Sequence, residues 1–270
     1  FLPIVFFIHG NFQKVKFKNK EVEKFPYTIR IIGSNISLER FNNKIDTEEV
    51  IRELISISSP DSNKKIFFVW PEGIIPNIYQ DELYLYQDLF IKNFNENHLI
   101  GLGINNRIFE NNIYRFYNSF SVFDNKLSLI NNYNKKNLVP FGEFLPFENF
   151  LKKLGFKTIT HKVGSYTKGE KREIIEIDEN FGKFKFLPLI CYEIIYSGNL
   201  NKSKDNYDFI INISEDGWFG NSIGPYQHYS HSIFRSIEEG KSIIRSSNNG
   251  ISAFVNSKGQ VINNNLTTNK

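Results

Sequence analysis

The only cysteine of the chain, Cys191, is its strongest candidate for nucleophilic chemistry. It ends the apolar run 184–190, so its side chain should emerge where a buried strand gives way to a loop or helix. Backbone amides at the start of a following helix would favour the thiolate and could hold an oxyanion. The alternative interpretation is a small buried hydrophobic residue, as lone cysteines often are.

A carboxylate and an amine occupy comparable positions earlier in the chain. Glu72 follows an apolar stretch that ends at Trp70, where Pro71 and Gly73 break the pattern. Lys135 precedes an apolar loop that contains proline and glycine. A thiol is mostly protonated at neutral pH and needs a base or a cation beside it, which these residues could supply. Taken singly, each could also be an exposed loop side chain.

Histidine offers a second way to activate the thiol, and the chain has five. A papain-like site would require the local sequence of that family around Cys191, and none of it is present. We therefore interpret His228 as a structural or loop-supporting residue.

The elements that would carry these residues alternate along the chain. From Tyr27 onward, β-rich apolar runs alternate with helical patterns, without a repeat or a low-complexity linker, which indicates one α/β domain. Several runs are almost continuously apolar, as strands covered on both faces are. The predicted strands are 27–32, 65–70, 99–104, 114–123, 184–190, 209–213 and 251–255. The predicted helices are 47–56, 81–94 and 225–239, and the last has an apolar face of Tyr226, Tyr229, Ile233 and Ile237.

Composition excludes several classes of protein. The chain has 270 residues and is 40% hydrophobic, enough for a sizeable buried core. A net charge of +4 is spread without an arginine-rich stripe or zinc-finger spacing, so nucleic acid is not an expected partner. One cysteine excludes an internal disulfide and Cys/His zinc frameworks.

The N-terminus predicts a piece of a longer protein, because the chain contains no methionine. Its first eight residues are apolar but fall short of the roughly 20 that span a bilayer. We expect either the stump of a membrane helix or a buried strand there.

Together the three segments resemble the Glu–Lys–Cys triad of the nitrilase superfamily, and longer matches resemble one branch of it, the apolipoprotein N-acyltransferases. This similarity extends over nearly everything after Tyr27. The matching segments are Trp70-Pro71-Glu72, 137–143 (NLVPFGE), 190–193 (ICYE), 212–214 (NIS), 217–220 (GWFG), 222–225 (SIGP) with Gln227-His228, and 245–251 (RSSNNGI).

The resemblance implies a nitrilase-like α-β-β-α sandwich and a role for each triad residue. Glu72 would be the general base, Lys135 would hold the tetrahedral oxyanion, and Cys191 would be the nucleophile. Four further residues would support substrate or nucleophile, with structural hydrogen bonding or core packing as the alternative: Glu143, Tyr192, Glu193 and Trp218.

The chain departs from the family pattern outside the triad. It has Gly73 where threonine is usual, Asn137 where histidine is usual, and Tyr226 where tryptophan is usual. Glu215 and Gly217 replace the usual asparagine and alanine. These departures concern acyl-chain preference and loop packing.

We also expect residues 141–168 to form a partly exposed apolar lid at the cleft.

The implied reaction moves a fatty acyl chain from a glycerophospholipid, through a Cys191 thioester, to the N-terminal amine of a diacylglyceryl-cysteine lipoprotein. No metal or organic cofactor is implied. The resemblance further implies the bacterial inner membrane with the catalytic domain facing the periplasm. Residues 1–26 would be the stump of a membrane helix and a linker, and residues 27–270 would be the catalytic domain. We expect the final elements of this domain to be missing. The protein would reach the membrane through flanking helices that the sequence lacks.

Two alternatives remain from the sequence. A soluble amidase or carbamoylase of the same superfamily would use the same triad and pass its acyl group to water. The second alternative is a non-catalytic binding or scaffold domain. Such a domain would not need Glu72, Lys135 and Cys191, so the presence of all three argues against it.

Overall fold

Two mixed β-sheets packed face to face form the centre of the protein. The computed structural model describes residues 1–18, 27–42, 45–147, 155, 165–177, 182–198, 200 and 206–266. Three apolar clusters lie between the layers: one between the sheets and one between each sheet and its covering helices. The predicted α-β-β-α sandwich is therefore confirmed.

The first sheet has five strands in the order β1-β2-β3-β4-β5. Strands β1 to β3 are parallel, and β4 and β5 follow in antiparallel pairing, so that β5 runs in the same direction as β2. The strands are β1 (Thr28–Ile31), β2 (Ile66–Val69), β3 (His98–Glu110), β4 (Ile113–Phe123) and β5 (Leu129–Asn134).

The second sheet has six strands in the order β11-β10-β9-β8-β7-β6. Its central strands β7, β8 and β9 are parallel, and antiparallel strands flank them on both sides. The strands are β6 (Ile175–Ile177), β7 (Phe184–Ile190), β8 (Phe209–Glu215), β9 (Ser242–Asn248), β10 (Ile251–Val255) and β11 (Val261–Leu266).

Helices cover the outer faces and cap several strand ends. Helix α2 begins where Asp46 accepts a hydrogen bond from the Glu49 amide at 3.3 Å and ends where Ser59 adopts a left-handed conformation. The α-helices are α1 (Leu2–Lys18), α2 (Thr47–Ser58), α3 (Gln87–Asn93) and α4 (Gly224–Glu239). Short 3₁₀ helices are Leu38–Asn42, Gln80–Tyr86, Cys191–Ile195 and Asp216–Phe219.

Alternation along the buried strands explains how two cores form. In and beside β2, Ile66, Phe68 and Trp70 pack towards α2 and α3. Phe67 and Val69 point the other way, into the core between the sheets. Side chains of a strand alternate between its faces, so a continuous apolar run fits a strand that is buried on both.

The N-terminal segment is helical, so the buried-strand alternative for it is wrong. Helix α1 exposes most of its apolar side chains, including Phe6 at 64% and Phe7 at 72%. In the part of the chain that the structure describes, no helix combines the length and the apolarity needed to cross a membrane.

Four strands lie outside the predicted set: β5, β6, β9 and β11. Strands β5 and β9 are rich in asparagine and serine, which strands usually lack. The predicted helix 81–94 divides into a 3₁₀ turn and α3, and Arg107 on β3 holds Asp81 and Glu82 of that turn at 3.0 and 2.9 Å.

The face of α4 that packs on the sheet differs from the predicted apolar face. Tyr226 and Ile237 are about half exposed, at 52% and 53%. Tyr229 and Ile233 do pack against the core. The buried side chains at the centre of the helix face are polar instead: His228, Ser232, Arg235 and Ser236. His228 and Arg235 contact the backbone carbonyls of Cys191 and Ile195, and Ser236 bonds within the helix.

Candidate active site

Three strand ends bring the predicted triad together. Glu72 follows β2, Lys135 directly follows β5, and Cys191 directly follows β7. Because β2 and β5 run in the same direction, their carboxyl ends lie at the same edge of the first sheet. All three residues line one cavity. The structure thus places them together, as their strand-end positions predict.

Lys135 lies buried between two carboxylates and is 1% exposed. Its Nζ donates to Glu72 Oε1 at 3.2 Å and to Glu143 Oε1 at 3.0 Å. Asn118 on β4 donates through Nδ2 to the same two oxygens at 2.7 Å each. The backbone amide of Glu215 donates to Glu72 Oε2 at 3.0 Å. The amine and both carboxylates therefore form one hydrogen-bonded unit.

Electrostatics keep the Lys135 ammonium charged. Burial by itself would lower the pKa of Lys135, but the carboxylates of Glu143 and Glu72 raise it well above its ordinary value. Lys135 is therefore a fixed positive charge beside the thiol and not a proton acceptor.

The two carboxylates differ in how many hydrogen bonds their oxygens accept. Both oxygens of Glu143 are occupied, because Oε1 accepts from Lys135 and Asn118 while Oε2 accepts from the Val139 amide at 2.9 Å and lies 2.9 Å from Lys135. Among the described residues, Glu72 Oε2 accepts only one hydrogen bond. Glu72 is consequently the carboxylate with an open lone pair.

Cys191 begins a 3₁₀ helix with a backbone φ of 50°, in the left-handed region that non-glycine residues seldom adopt. Burial raises the pKa of its thiol well above the ordinary value, the charge of Glu72 raises it further, and Lys135 opposes the rise. At rest the Cys191 side chain is therefore a thiol. To act as a nucleophile it would need a base to take its proton.

Glu193 is fully buried and does not face the cavity. Its Oε1 accepts from the Tyr133 hydroxyl at 2.8 Å and from the amides of Lys136 and Asn137 at 3.0 Å each. Its Oε2 accepts from the Ile190 amide at 2.9 Å. Glu193 therefore joins the loop that follows β5 to the end of β7, where the turn of Cys191 begins.

The two predicted aromatic residues both line the cavity. Trp218 is 43% exposed and stacks on Phe41, with ring centroids 5.3 Å apart. Tyr192 packs edge-on against Tyr196 at 5.6 Å. Trp218 thus forms part of the exposed wall of the cavity, whereas Tyr192 lies beside the nucleophile.

The cavity encloses about 600 Å³ and changes character from its interior to its rim. Glu72, Lys135 and Glu143 are all less than 9% exposed. Aromatic side chains with much higher exposure form the outer part, and the most exposed is Phe141 at 52%. The volume falls in the range of roughly 300–1,000 Å³ that is typical of small-molecule sites. A ligand could therefore present a polar group to the interior and apolar atoms to the rim.

Residues outside the predicted site also contribute to it. Asn118 is the one amide side chain of β4 and lies among the serine, aromatic and aliphatic residues of its buried half, which is the signal that could have identified it. Arg40 is fully buried and forms an ion pair with Glu215, whose sequence position gave no indication of that partner. His228 contacts the Cys191 backbone carbonyl through Nε2 at 3.1 Å, and we find no contact of its ring with the thiol among the described residues.

Two further expectations concern ligands and the lid. No group of three or more His, Cys, Asp or Glu side chains in the described ranges is arranged to hold a metal ion. Most of the predicted lid, residues 148–154 and 156–164, lies outside the described residues. Its first part exposes Phe141 and Phe147 and buries Leu145.

Comparison with known families supports the same architecture. The family model described as carbon-nitrogen hydrolase matches residues 53–270. Among solved structures, a CN-hydrolase superfamily protein from Xanthomonas campestris is similar with a TM-score of 0.57 and 13% identity, covering 88% of this chain and 85% of that one. An amidase from Nesterenkonia sp. has a TM-score of 0.58 and 10% identity, with 90% and 88% covered.

Curated relatives carry a more specific name. The apolipoprotein N-acyltransferase of Brucella suis biovar 1 is 31% identical over 253 residues, which are 88% of this chain and 45% of that protein. The apolipoprotein N-acyltransferase of Wigglesworthia glossinidia brevipalpis is 32% identical over 267 residues, which are 96% and 51% of the two chains. The chain thus spans about half the length of the curated relatives it matches.

Proposed function

The chain belongs to the carbon-nitrogen hydrolase family, and we propose that within it the protein is an apolipoprotein N-acyltransferase. It takes a fatty acyl group from a glycerophospholipid onto Cys191 and passes it to the N-terminal amine of a diacylglyceryl-cysteine lipoprotein. The names and identities of the curated relatives support this choice within the family.

One observation carries the proposal: the Glu72–Lys135–Cys191 cluster lies in a cavity whose exposed wall is apolar. The cluster provides a base, a fixed cation and a thiol. The exposed aromatic wall suits a long acyl chain better than a small polar amide, because burial of apolar surface is what would bind such a chain.

The first half-reaction forms the thioester. Glu72 takes the thiol proton as Cys191 Sγ attacks the ester carbonyl of the phospholipid, and Lys135 stabilises the tetrahedral oxyanion. When the intermediate collapses, the ester C–O bond breaks and the proton on Glu72 passes to the departing oxygen. The products are acyl-Cys191 and a lysophospholipid.

The second half-reaction transfers the acyl group to nitrogen. The lipoprotein amine attacks the thioester carbonyl, and Glu72 accepts a proton from it as the second oxyanion forms beside Lys135. Collapse breaks the C–S bond, restores the Cys191 thiol with the proton from Glu72, and releases the amide. The same base and cation therefore serve both steps.

Supporting roles are proposed for four further residues. Glu143 holds Lys135 in place, and Glu193 fixes the loop that carries it. Tyr192 and Trp218 contact substrate along the cavity wall.

The proposal extends to the setting of the enzyme. Residues 1–26 form a membrane-associated helical segment and a linker, and residues 27–270 form the catalytic domain, which faces the periplasm at the bacterial inner membrane. The exposed apolar side chains of α1 support a membrane location for that segment, because so many exposed apolar groups are costly in water.

The experiment is mass spectrometry of the whole protein incubated with phospholipid. We expect Cys191 to gain the mass of one acyl chain and to keep it until an amine acceptor is added, because water is scarce in an apolar cavity. Cys191→Ser should lose most activity, and Lys135→Ala should prevent the label from forming.

The control is Lys64→Ala, which removes an exposed lysine remote from the cavity and should label like the wild type. Rapid loss of the label to water without acceptor, together with cleavage of small amides, would identify an amidase instead. Absence of any label would contradict the acyltransferase.

A further inference from the structure

His228 on α4 lies directly behind the nucleophile and bridges two buried acceptors. Its Nδ1 is 2.8 Å from Asp216 Oδ1, and its Nε2 is 3.1 Å from the backbone carbonyl oxygen of Cys191. The imidazole is 5% exposed, so water does not replace these contacts easily. A ring held at both nitrogens has its orientation fixed.

Asp216, which contacts that ring, is itself held in place by several hydrogen bonds. Arg245 Nη2 donates to both of its oxygens, at 3.0 and 2.8 Å, and the Ser214 hydroxyl donates to Oδ1 at 2.7 Å. Burial works against ionisation, but Arg245 and the other donors hold the pKa of Asp216 well below its usual range. The carboxylate is therefore charged, and it comes from the end of β8, next to the nucleophile strand.

The contact between His228 and the Cys191 carbonyl oxygen also fixes the orientation of the amide that follows. The peptide between Cys191 and Tyr192 is planar and trans, so its C=O and N–H bonds point in opposite directions. Holding the oxygen towards His228 therefore also fixes the direction of the Tyr192 amide. The φ of 50° at Cys191 is a conformation that needs such support, because it costs energy in a residue with a side chain.

We propose that Asp216 and His228 form a positioning pair that orients the Cys191–Tyr192 peptide, so that the Tyr192 amide supplements Lys135 as a donor to the oxyanion. The inference rests on the proposed role of Cys191 as nucleophile. His228 does not touch the reacting atoms and takes no proton. It acts through the peptide that follows the thiol.

Two polar variants separate this role from a general structural one. His228→Gln places an amide NH₂ near the position of Nε2, where it can still donate to the Cys191 carbonyl. His228→Asn places its donor near Nδ1, where it can still reach Asp216 but not the carbonyl. An exposed histidine on α1 gives the control His9→Asn.

The assay uses two reactions of the only thiol in the chain. Acylation by p-nitrophenyl butyrate, followed as a burst of p-nitrophenolate, passes through an oxyanion, whereas alkylation by iodoacetamide does not. We expect His228→Asn to slow the burst at least about tenfold, because small misplacements of catalytic groups cost up to about 10²-fold. Alkylation should stay within about twofold of wild type, and His228→Gln should restore most of the burst rate.

The results that would overturn the inference are distinct from those that would overturn the proposed function. An unchanged burst in His228→Asn, equal losses of burst and alkylation, or failure of His228→Gln to recover the burst would each refute the positioning role. Because the butyrate ester does not depend on lipid recognition, a wild type that shows the burst but accepts no phospholipid would refute only the acyltransferase.

Discussion

At the scale of single residues, the thiol of Cys191 is balanced between two opposing charges. Glu72 disfavours the thiolate and Lys135 favours it, while burial also disfavours it. The same carboxylate that raises the pKa of the thiol is the one with an open lone pair to receive its proton. In the mechanism that we propose, proton transfer and attack by Cys191 are thereby coupled.

This balance predicts opposite effects of Glu72→Gln on two reactions. Removing the negative charge should lower the pKa of Cys191, so that more thiolate exists at a given pH and alkylation by iodoacetamide becomes faster. Acyl transfer should fall by about 10²- to 10⁴-fold, because the general base is lost. The measurement is the pH dependence of the alkylation rate beside the rate of thioester formation.

Two variants complete that test. Lys135→Met should raise the pKa of the thiol and slow alkylation, the reverse of Glu72→Gln. Glu49→Gln, on the exposed side of α2, should change neither rate. Slower alkylation in Glu72→Gln than in wild type would show that this carboxylate does not act on the thiol electrostatically.

At the scale of elements, the site depends on hydrogen bonds of Glu193 that join two segments from different sheets. We call this set of bonds the brace. The carboxylate of Glu193, in the turn that Cys191 begins, accepts hydrogen bonds from the loop after β5 and from the end of β7. The strand ends that carry Lys135 and Cys191 are therefore fixed by one buried side chain. Loss of the brace leaves several buried donors without a partner.

We expect Glu193→Ala to destabilise the protein by at least about 3 kcal/mol, because each buried donor left unpaired costs about 1–3 kcal/mol. Urea unfolding measures the change. Thioester formation should also slow at temperatures where the variant remains folded, because the backbone of the lysine loop loses its anchor.

The matched change is Glu173→Ala, which removes an exposed carboxylate whose ion pair with Lys171 lies at the surface. Its stability should stay within about 0.5 kcal/mol of wild type. A loss of stability in Glu193→Ala no larger than that would mean that the brace contributes little.

At the scale of the whole molecule, an aromatic core holds the two sheets face to face. Phe186 on β7 is fully buried and stacks on Phe209 with centroids 5.9 Å apart. It also contacts Phe67 and Phe120 of the other sheet, at 5.8 and 6.0 Å. Because Glu72 follows a strand of the first sheet and Cys191 a strand of the second, the packing of the sheets sets the distance between these two residues.

Phe186→Ala should therefore destabilise the fold by about 3–5 kcal/mol, as large-to-small changes of buried aromatic residues do. Thermal or urea unfolding measures it. Phe109→Ala at the 59% exposed end of β3 is the control and should shift stability by less than about 0.5 kcal/mol. Equal effects of the two changes would contradict an inter-sheet core centred on Phe186.

The sequence by itself determined the parts of the protein whose cause is local. Continuous apolar runs predicted β7 and β10 with the bounds that the structure shows. The ends of the apolar runs of β2 and β7 marked the positions at which Glu72 and Cys191 lie, and the surrounding segments indicated the family that the comparisons then showed. Burial of a strand on both faces requires such runs, so they can be recognised without knowing the neighbours.

Only the tertiary structure decided where polar residues belong. Strand β9 contains the buried polar side chains of Arg245, Ser246 and Asn248, each bonded to a different element of the fold. His228 and Arg235 on α4 and Asn118 on β4 are likewise buried against partners in other elements. A buried polar group is tolerated when a partner satisfies it, and a partner brought in from a distant part of the chain leaves no periodic signal in the sequence.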